Sequence, residues 1–194
     1  MYKYNPKVLH YLISFECNQK CSKCSHWKFK YYEELLDIEL FIKNLPMLKL
    51  LSEICIVGGE PLISKNKILK ILSSISPNVR TVIVTNGVLL NKNLIREYNV
   101  HFVVSIDTLE RDFWNFVRGS DSFDKVINNV EYARRILSPE KLSIQSVLSE
   151  ETKSHVSEVA KYAKKLGVYH SIQPYILEGF KGSWTPIKLE NESL

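Results

Sequence analysis

Short runs dense in Val, Ile and Leu recur along the chain and read as buried strands. They are VLHYLISF (8–15), EICIV (53–57), TVIVT (81–85), HFVVSI (101–106), LSIQSVL (142–148) and YHSIQPYI (169–176). Between them the apolar positions change to helical spacing. Asp37 caps a predicted helix carrying Ile38, Phe41, Ile42 and Leu45 that Pro46 interrupts, and Ser64 caps one with Ile68, Ile71, Leu72 and Ile75 on a single face. Phe123, Val126, Ile127, Val130 and Ala133 repeat behind a Ser122 cap, and Val156, Val159, Ala160, Ala163 and Leu166 repeat up to Gly167.

Strands that alternate with helices pair in parallel, because each helix returns the chain across the sheet in a right-handed crossover. The expectation is one α/β domain with its core in residues 1–176. Gly179, Gly182 and Pro186 break any long helix after Leu177, so residues 177–194 read as an irregular tail, in which Phe180 and Trp184 are large rings available to cover a neighbouring surface or a partner.

Composition adds little beyond this. Hydrophobic content of 45% with 24% charged residues suits a folded domain of 194 residues. The apolar run at 8–15 is too short to span a bilayer and no cleavage site follows it, so a cytoplasmic protein without membrane association is expected. The net charge of +5 comes from 26 basic and 21 acidic residues scattered over helix faces, which favours a solvated surface over nucleic-acid binding. Lys20, Lys23, Lys28 and Lys30 form a local basic excess with no acid before Glu33, suited to an acidic protein partner.

The chemistry is concentrated in CNQKCSKC, which places Cys17, Cys21 and Cys24 in one loop just after the first strand. Such crowding in a reducing compartment points to metal binding rather than to a disulfide framework. Three thiolates can hold three irons of a cubane cluster and leave the fourth open, or, with His26, complete a Cys3His zinc site. Cys55, alone inside the second strand, reads as a small buried hydrophobe. The second, third and fourth strands end in VGGEPLIS, TNG and SIDT, at the sheet edge where ligands of parallel α/β domains gather. Gly58 and Gly59 permit close backbone approach, Glu60 supplies charge or a structural hydrogen bond, and Thr85, Asn86 and Ser105 are small polar groups at strand ends. Each of these segments taken alone is equally a turn.

The ordered set CxxxCxxC, GGEP, TNG and SIDT resembles the radical S-adenosylmethionine (radical SAM) enzymes over residues 8–176. The segment SIDTLERDFWNFVRGSDSFDKVINNV resembles the branch containing the molybdenum-cofactor cyclase and the SPASM peptide-modifying enzymes. The resemblance implies a partial (β/α)6 barrel, related to the TIM barrel. It also implies a single [4Fe-4S] cluster on Cys17, Cys21 and Cys24, with S-adenosylmethionine (SAM) held by Lys23, Gly58, Gly59, Glu60, Thr85, Asn86, Ser105 and Arg118. The implied reaction is reductive cleavage of SAM to a 5′-deoxyadenosyl radical that abstracts hydrogen from a peptide or small molecule. An electron donor such as flavodoxin or ferredoxin is implied, and a protein substrate or capping chain would close the open side of the barrel. An activase that makes a glycyl radical on a partner, and a noncatalytic iron-sulfur or zinc module, remain as alternatives. Two positions depart from the family. Lys23 stands where an aromatic residue is common, and Cys55 stands roughly where the cyclase has a nucleotide-binding arginine. No cysteine follows Cys55, so this stretch carries no ligands for an auxiliary cluster.

Overall fold

The computed structural model describes residues 6–28, 37–90, 92–97 and 99–175. The sheet strands are β1 (Val8–Leu12), β2 (Glu53–Val57), β3 (Arg80–Thr85), β4 (Val100–Ser105), β5 (Leu142–Leu148) and β6 (Tyr169–Pro174). The helices are α1 (Ile38–Asn44), α2 (Lys65–Ser74), α3 (Lys92–Glu97), α4 (Arg111–Arg118), α5 (Phe123–Ile136) and α6 (Val156–Leu166). All neighbouring strands are parallel and lie in the order β1-β2-β3-β4-β5-β6. The sheet therefore winds in one direction without closing, which is the expected partial (β/α)6 barrel. Its two free edges, β1 and β6, have no strand partner among the described residues.

Strand alternation sorts the side chains by face. Ile54, Ile56, Ile83, Phe102, Val104 and Ile144 belong to one buried cluster beneath the helices, with Ile68 and Ile71 of α2 and Val126 and Val130 of α5. Burying each such side chain contributes roughly 1.5–3 kcal/mol. Cys55, Ser105 and Gln145 lie between or beyond these positions and occupy the concave face. Cys55 is 7% exposed, in keeping with a small buried hydrophobe.

Asp37 caps α1 by accepting from the Leu40 N–H at 2.9 Å, and Gly167 ends α6 in the left-handed region at φ 66°. Ser122 precedes α5 as predicted, but its hydroxyl does not cap the helix. It instead accepts from Gln19 Nε2 at 2.9 Å and from Trp114 Nε1 at 3.1 Å. Helices α3 and α4 were not expected. The latter is short and buries Trp114, Val117 and Arg118 while leaving Phe116 exposed, so no plain apolar stripe announces it. Ile176 and the whole expected tail, with Phe180 and Trp184, lie outside the described residues. Among the described residues no helix is long and apolar enough to cross a membrane.

Candidate functional site

The cysteine segment is built onto the carboxyl ends of β1 and β2. Past the end of β1, the Ile13 N–H still donates to the Val57 carbonyl at 2.9 Å. The Gly59 N–H donates to Ser14 at 2.8 Å and the Glu60 N–H to Glu16 at 2.7 Å. This apposition requires glycine. A Cβ on Gly59 would lie 2.2 Å from the Glu16 carbonyl oxygen, and one on Gly58 would lie 2.5 Å from that of Ser14. The motif glycines therefore let the stem of the cysteine loop pack against the β2 turn.

Downstream, the loop is tied to α4. The Ser22 N–H donates to Val117 at 2.9 Å and the Lys20 N–H to Arg118 at 3.3 Å. Gly119, at φ 57°, leaves room for the Lys20 carbonyl, which would stand 2.6 Å from a Cβ there. Gln19 is 1% exposed and reaches Ser122, so the loop, α4 and the start of α5 share one buried polar knot. Nothing in the sequence singles out Gln19 for this. Its role depends on Ser122, more than a hundred residues away.

Cys17, Cys21 and Cys24 line one open cavity, together with Gly58, Gly59, Thr85, Asn86, Ser105, Arg118 and Lys23. Of the predicted site residues, only Glu60 is set back from it. Burial pushes the Cys17 thiol up to about 12, with the neighbouring Cys21 adding to the shift and a backbone hydrogen bond at Gln19 opposing it. Burial also raises Cys24, against the Cys24 Sγ contact with the His26 N–H at 3.4 Å. Among the described residues, no three His, Cys, Asp or Glu side chains converge as ligands of a single metal ion.

Glu60 acts from behind the wall. Its Oε1 accepts from the Leu62 N–H at 3.0 Å and from Thr85 Oγ1 at 2.7 Å, and its Oε2 accepts from the Asn86 N–H at 2.7 Å. It thereby fixes the ends of β2 and β3 relative to each other. Asn86 Nδ2 donates to Asn18 Oδ1 at 2.7 Å and lies 3.9 Å from Cys17 Sγ, and Gly87 turns the chain at φ 81°. TNG is thus both a turn and a wall of the cavity.

The strongest electrostatic feature is a buried triad. Asp107 Oδ2 contacts both Lys23 Nζ and, at 2.6 Å, Arg118 Nη2, while its Oδ1 accepts from the Val147 N–H at 2.8 Å. Burial works against ionisation of Asp107, but the charges of Arg118 and Lys23 hold its carboxyl below the usual range. Arg118 also donates to the Ser105 carbonyl at 2.8 Å and stacks its guanidinium 5.2 Å from the Trp114 ring, yet its buried Nε has no protein acceptor. Arg118 is 3% exposed, so it is no surface arginine. Lys23, counted from sequence with the surface lysines, has a side chain only 11% exposed and faces inward, which removes it from the expected docking patch. Lys30 lies outside the described residues.

The pattern of the Radical SAM superfamily matches residues 11–163, which include the three cysteines and the ends of β2, β3 and β4. The chain belongs to the radical SAM superfamily. This radical SAM chain is 32% identical over 137 residues to a GTP 3′,8-cyclase of Shewanella denitrificans, covering 64% of the chain and 40% of that protein. It is 28% identical over 142 residues to a probable GTP 3′,8-cyclase of Archaeoglobus fulgidus, covering 70% and 48%. It therefore spans less than half the length of these two relatives. Among solved structures, it resembles SuiB of Streptococcus suis with a TM-score of 0.71 at 19% identity, covering 95% of this chain and 42% of SuiB. SuiB bound to S-adenosylmethionine matches with a TM-score of 0.69 at 20% identity, over 88% of this chain and 39% of that one. These likenesses establish the shared fold.

The family's cofactors are a [4Fe-4S] cluster and SAM. The residues present fit them. Three thiols on one cavity wall are soft donors of the kind that hold iron-sulfur clusters, and the raised pKa values of Cys17 and Cys24 mean that a metal must displace their protons on binding. Arg118 lines the same cavity, and its buried, unsatisfied Nε keeps one N–H unused by the protein.

Proposed function

We propose that residues 1–176 form the core of a radical SAM enzyme, in which Cys17, Cys21 and Cys24 hold the [4Fe-4S] cluster and the cavity beside them holds SAM. The observation that carries this reading is the convergence of the three thiols, the backbone of Gly58 and Gly59, and Arg118 on one cavity. When bound, the two cofactors supply one-electron reductive cleavage of SAM and hydrogen abstraction from a substrate. The chain's own part is positional. Arg118, held by Asp107 and the Ser105 carbonyl, offers its free N–H to the SAM carboxylate. Lys23 keeps Asp107 neutralised from the loop side, Asn86 steadies the loop at Asn18, and Glu60 locks the β2 and β3 ends.

The substrate reading follows from the concave faces of β4, β5 and β6. In register across these strands stand Ser105, Gln145 and Ser171, with Gln173 one step further on. These are neutral hydrogen-bonding groups. The concave positions of these three strands hold no Lys or Arg, and a nucleoside triphosphate bound there would lack the cations its phosphates require. A neutral, amide-rich substrate such as a peptide fits this surface better than the GTP named for the relatives. Among the described residues β6 has no partner strand on its outer edge, and with Tyr169 and Ile172 exposed this edge suits a macromolecular substrate or a capping chain.

The test is anaerobic reconstitution with iron and sulfide, followed by incubation with SAM and dithionite. A brown protein that releases 5′-deoxyadenosine supports the reading, whereas a colourless protein retaining zinc overturns it.

A further inference from the structure

We infer that Lys23 is a buried positive charge that favours the reduced state of a cluster held by Cys17, Cys21 and Cys24. This rests on reading those three cysteines as the cluster ligands. One-electron reduction takes an electron from a low-potential donor and binds no proton, so the site gains one negative charge. A fixed cation beside it therefore favours reduction, and most strongly where water is excluded. Lys23 directly precedes Cys24 in the chain and lines the cavity of the three thiols. Its side chain is 11% exposed, whereas those of Lys70, Lys153 and Lys161 are 55%, 58% and 73% exposed and screened by solvent.

The charges around the cavity are sorted by depth. Lys23 and Arg118 line it and, among the described residues, no carboxylate does. The anions stand behind the wall, where Asp107 contacts both cations through Oδ2 and Glu60 spends its carboxylate on Leu62, Thr85 and Asn86. Against these two buried carboxylates Arg118 is a single charge, and Lys23 supplies the second. His26 also borders the cavity, but burial lowers its pKa and disfavours its cationic form. At Cys24, burial raises the thiol pKa while the charges of Lys23 and Arg118 oppose the rise, so both cations reach a ligand electrostatically. Burial and the Arg118 charge lower the pKa of Lys23 itself, and Asp107 in direct contact opposes them. An arginine at this position would stay charged at any working pH.

The test is a redox titration of the cluster-loaded chain without SAM, with dithionite as the electron donor and the paramagnetic signal of the reduced cluster as the readout. K23M and K23Q remove the charge, K23R retains it, and K125E reverses an exposed charge on α5. K23M and K23Q should be harder to reduce than the native chain by at least about tenfold in equilibrium constant, about 59 mV for one electron, at unchanged iron content. K23R and K125E should stay within about threefold of native. Midpoints of K23M and K23Q equal to native, a shift in K23R as large as in K23M, or an equal shift in K125E each overturns the proposal. Loss of the cluster in both neutral variants but not in K23R also overturns it, because Lys23 would then be a structural tether. A native chain that takes up no iron and sulfide sinks the cofactor reading and this inference together, whereas equal midpoints in fully loaded chains sink this inference alone.

Discussion

Asp107 and Arg118 meet at 2.6 Å with side chains 1% and 3% exposed, and Lys23 from the cysteine loop shares the same carboxylate oxygen. One anion thus tethers two cations contributed by separate elements, one beside Cys24 and one at the end of α4. Asp107→Asn leaves both cations uncompensated in the interior and should cost about 3–5 kcal/mol in urea unfolding. Lys23→Met should cost less, because Arg118 still satisfies Asp107, and K23M/D107N should recover part of the D107N loss. A D107N chain as stable as one carrying Asp124→Asn, whose carboxylate is exposed on α5, would refute this account.

The three loop cysteines differ from the fourth in what they face. Reconstituted C17A, C21A and C24A should each lose most of their iron. C55A should keep its iron and cost about 1 kcal/mol or less, because only a small buried volume is removed. Full four-iron content in C21A would remove the loop from the cluster assignment.

Gly59→Ala should destabilise the chain by about 1–3 kcal/mol or more, because its Cβ meets backbone rather than a movable side chain. The measurement is the thermal midpoint of the apo protein. A midpoint equal to the native one would show that the β1 and β2 ends are not pressed together as described.

The neutral concave faces of β4–β6 predict that GTP binds no more tightly than a dissociation constant of about 1 mM, even with SAM present. Calorimetry on the loaded chain decides this. Micromolar GTP binding would return the chain to the reaction of its cyclase relatives.

His101 carries a pH dependence. Its Nδ1 lies 2.9 Å from Arg80 Nη2, which can only donate, so the ring accepts there and places its proton on Nε2, 2.8 Å from Ser143 Oγ. Burial and then the Arg80 charge lower its pKa from the ordinary 6.5. Between the lowered folded value and 6.5 the unfolded chain binds more protons, so stability is full above pH 6.5 and declines as pH falls through the folded pKa. Urea midpoints measured from pH 7.5 downward should fall less steeply in His101→Gln than in the native chain. Identical slopes would exclude His101 as a contributor.

Much of the fold is legible in the chain itself. A strand inside a helix-covered parallel sheet must be an apolar run and a helix on its surface must repeat with helical spacing, so β2–β5 and the helices α1, α2, α5 and α6 follow from local pattern alone, while β1 and β6 at the sheet edges, though read as buried, are largely exposed. The crowding of Cys17, Cys21 and Cys24 in one loop, and the placing of GGEP, TNG and SIDT at strand ends, are equally local facts that tertiary folding could only bring together. What the tertiary structure decided is the role of each polar side chain, because a hydroxyl, amide or ammonium takes whichever partner the fold delivers. Ser122 satisfies Gln19 and Trp114 instead of capping α5, Glu60 spends its carboxylate on Thr85 and Asn86 behind the cavity, and α4 turns Arg118 inward. Lys23 reads as one more surface lysine in the sequence. It is buried only because Asp107, at the end of β4 and 84 residues away, stands where its ammonium arrives, and no local pattern encodes that meeting.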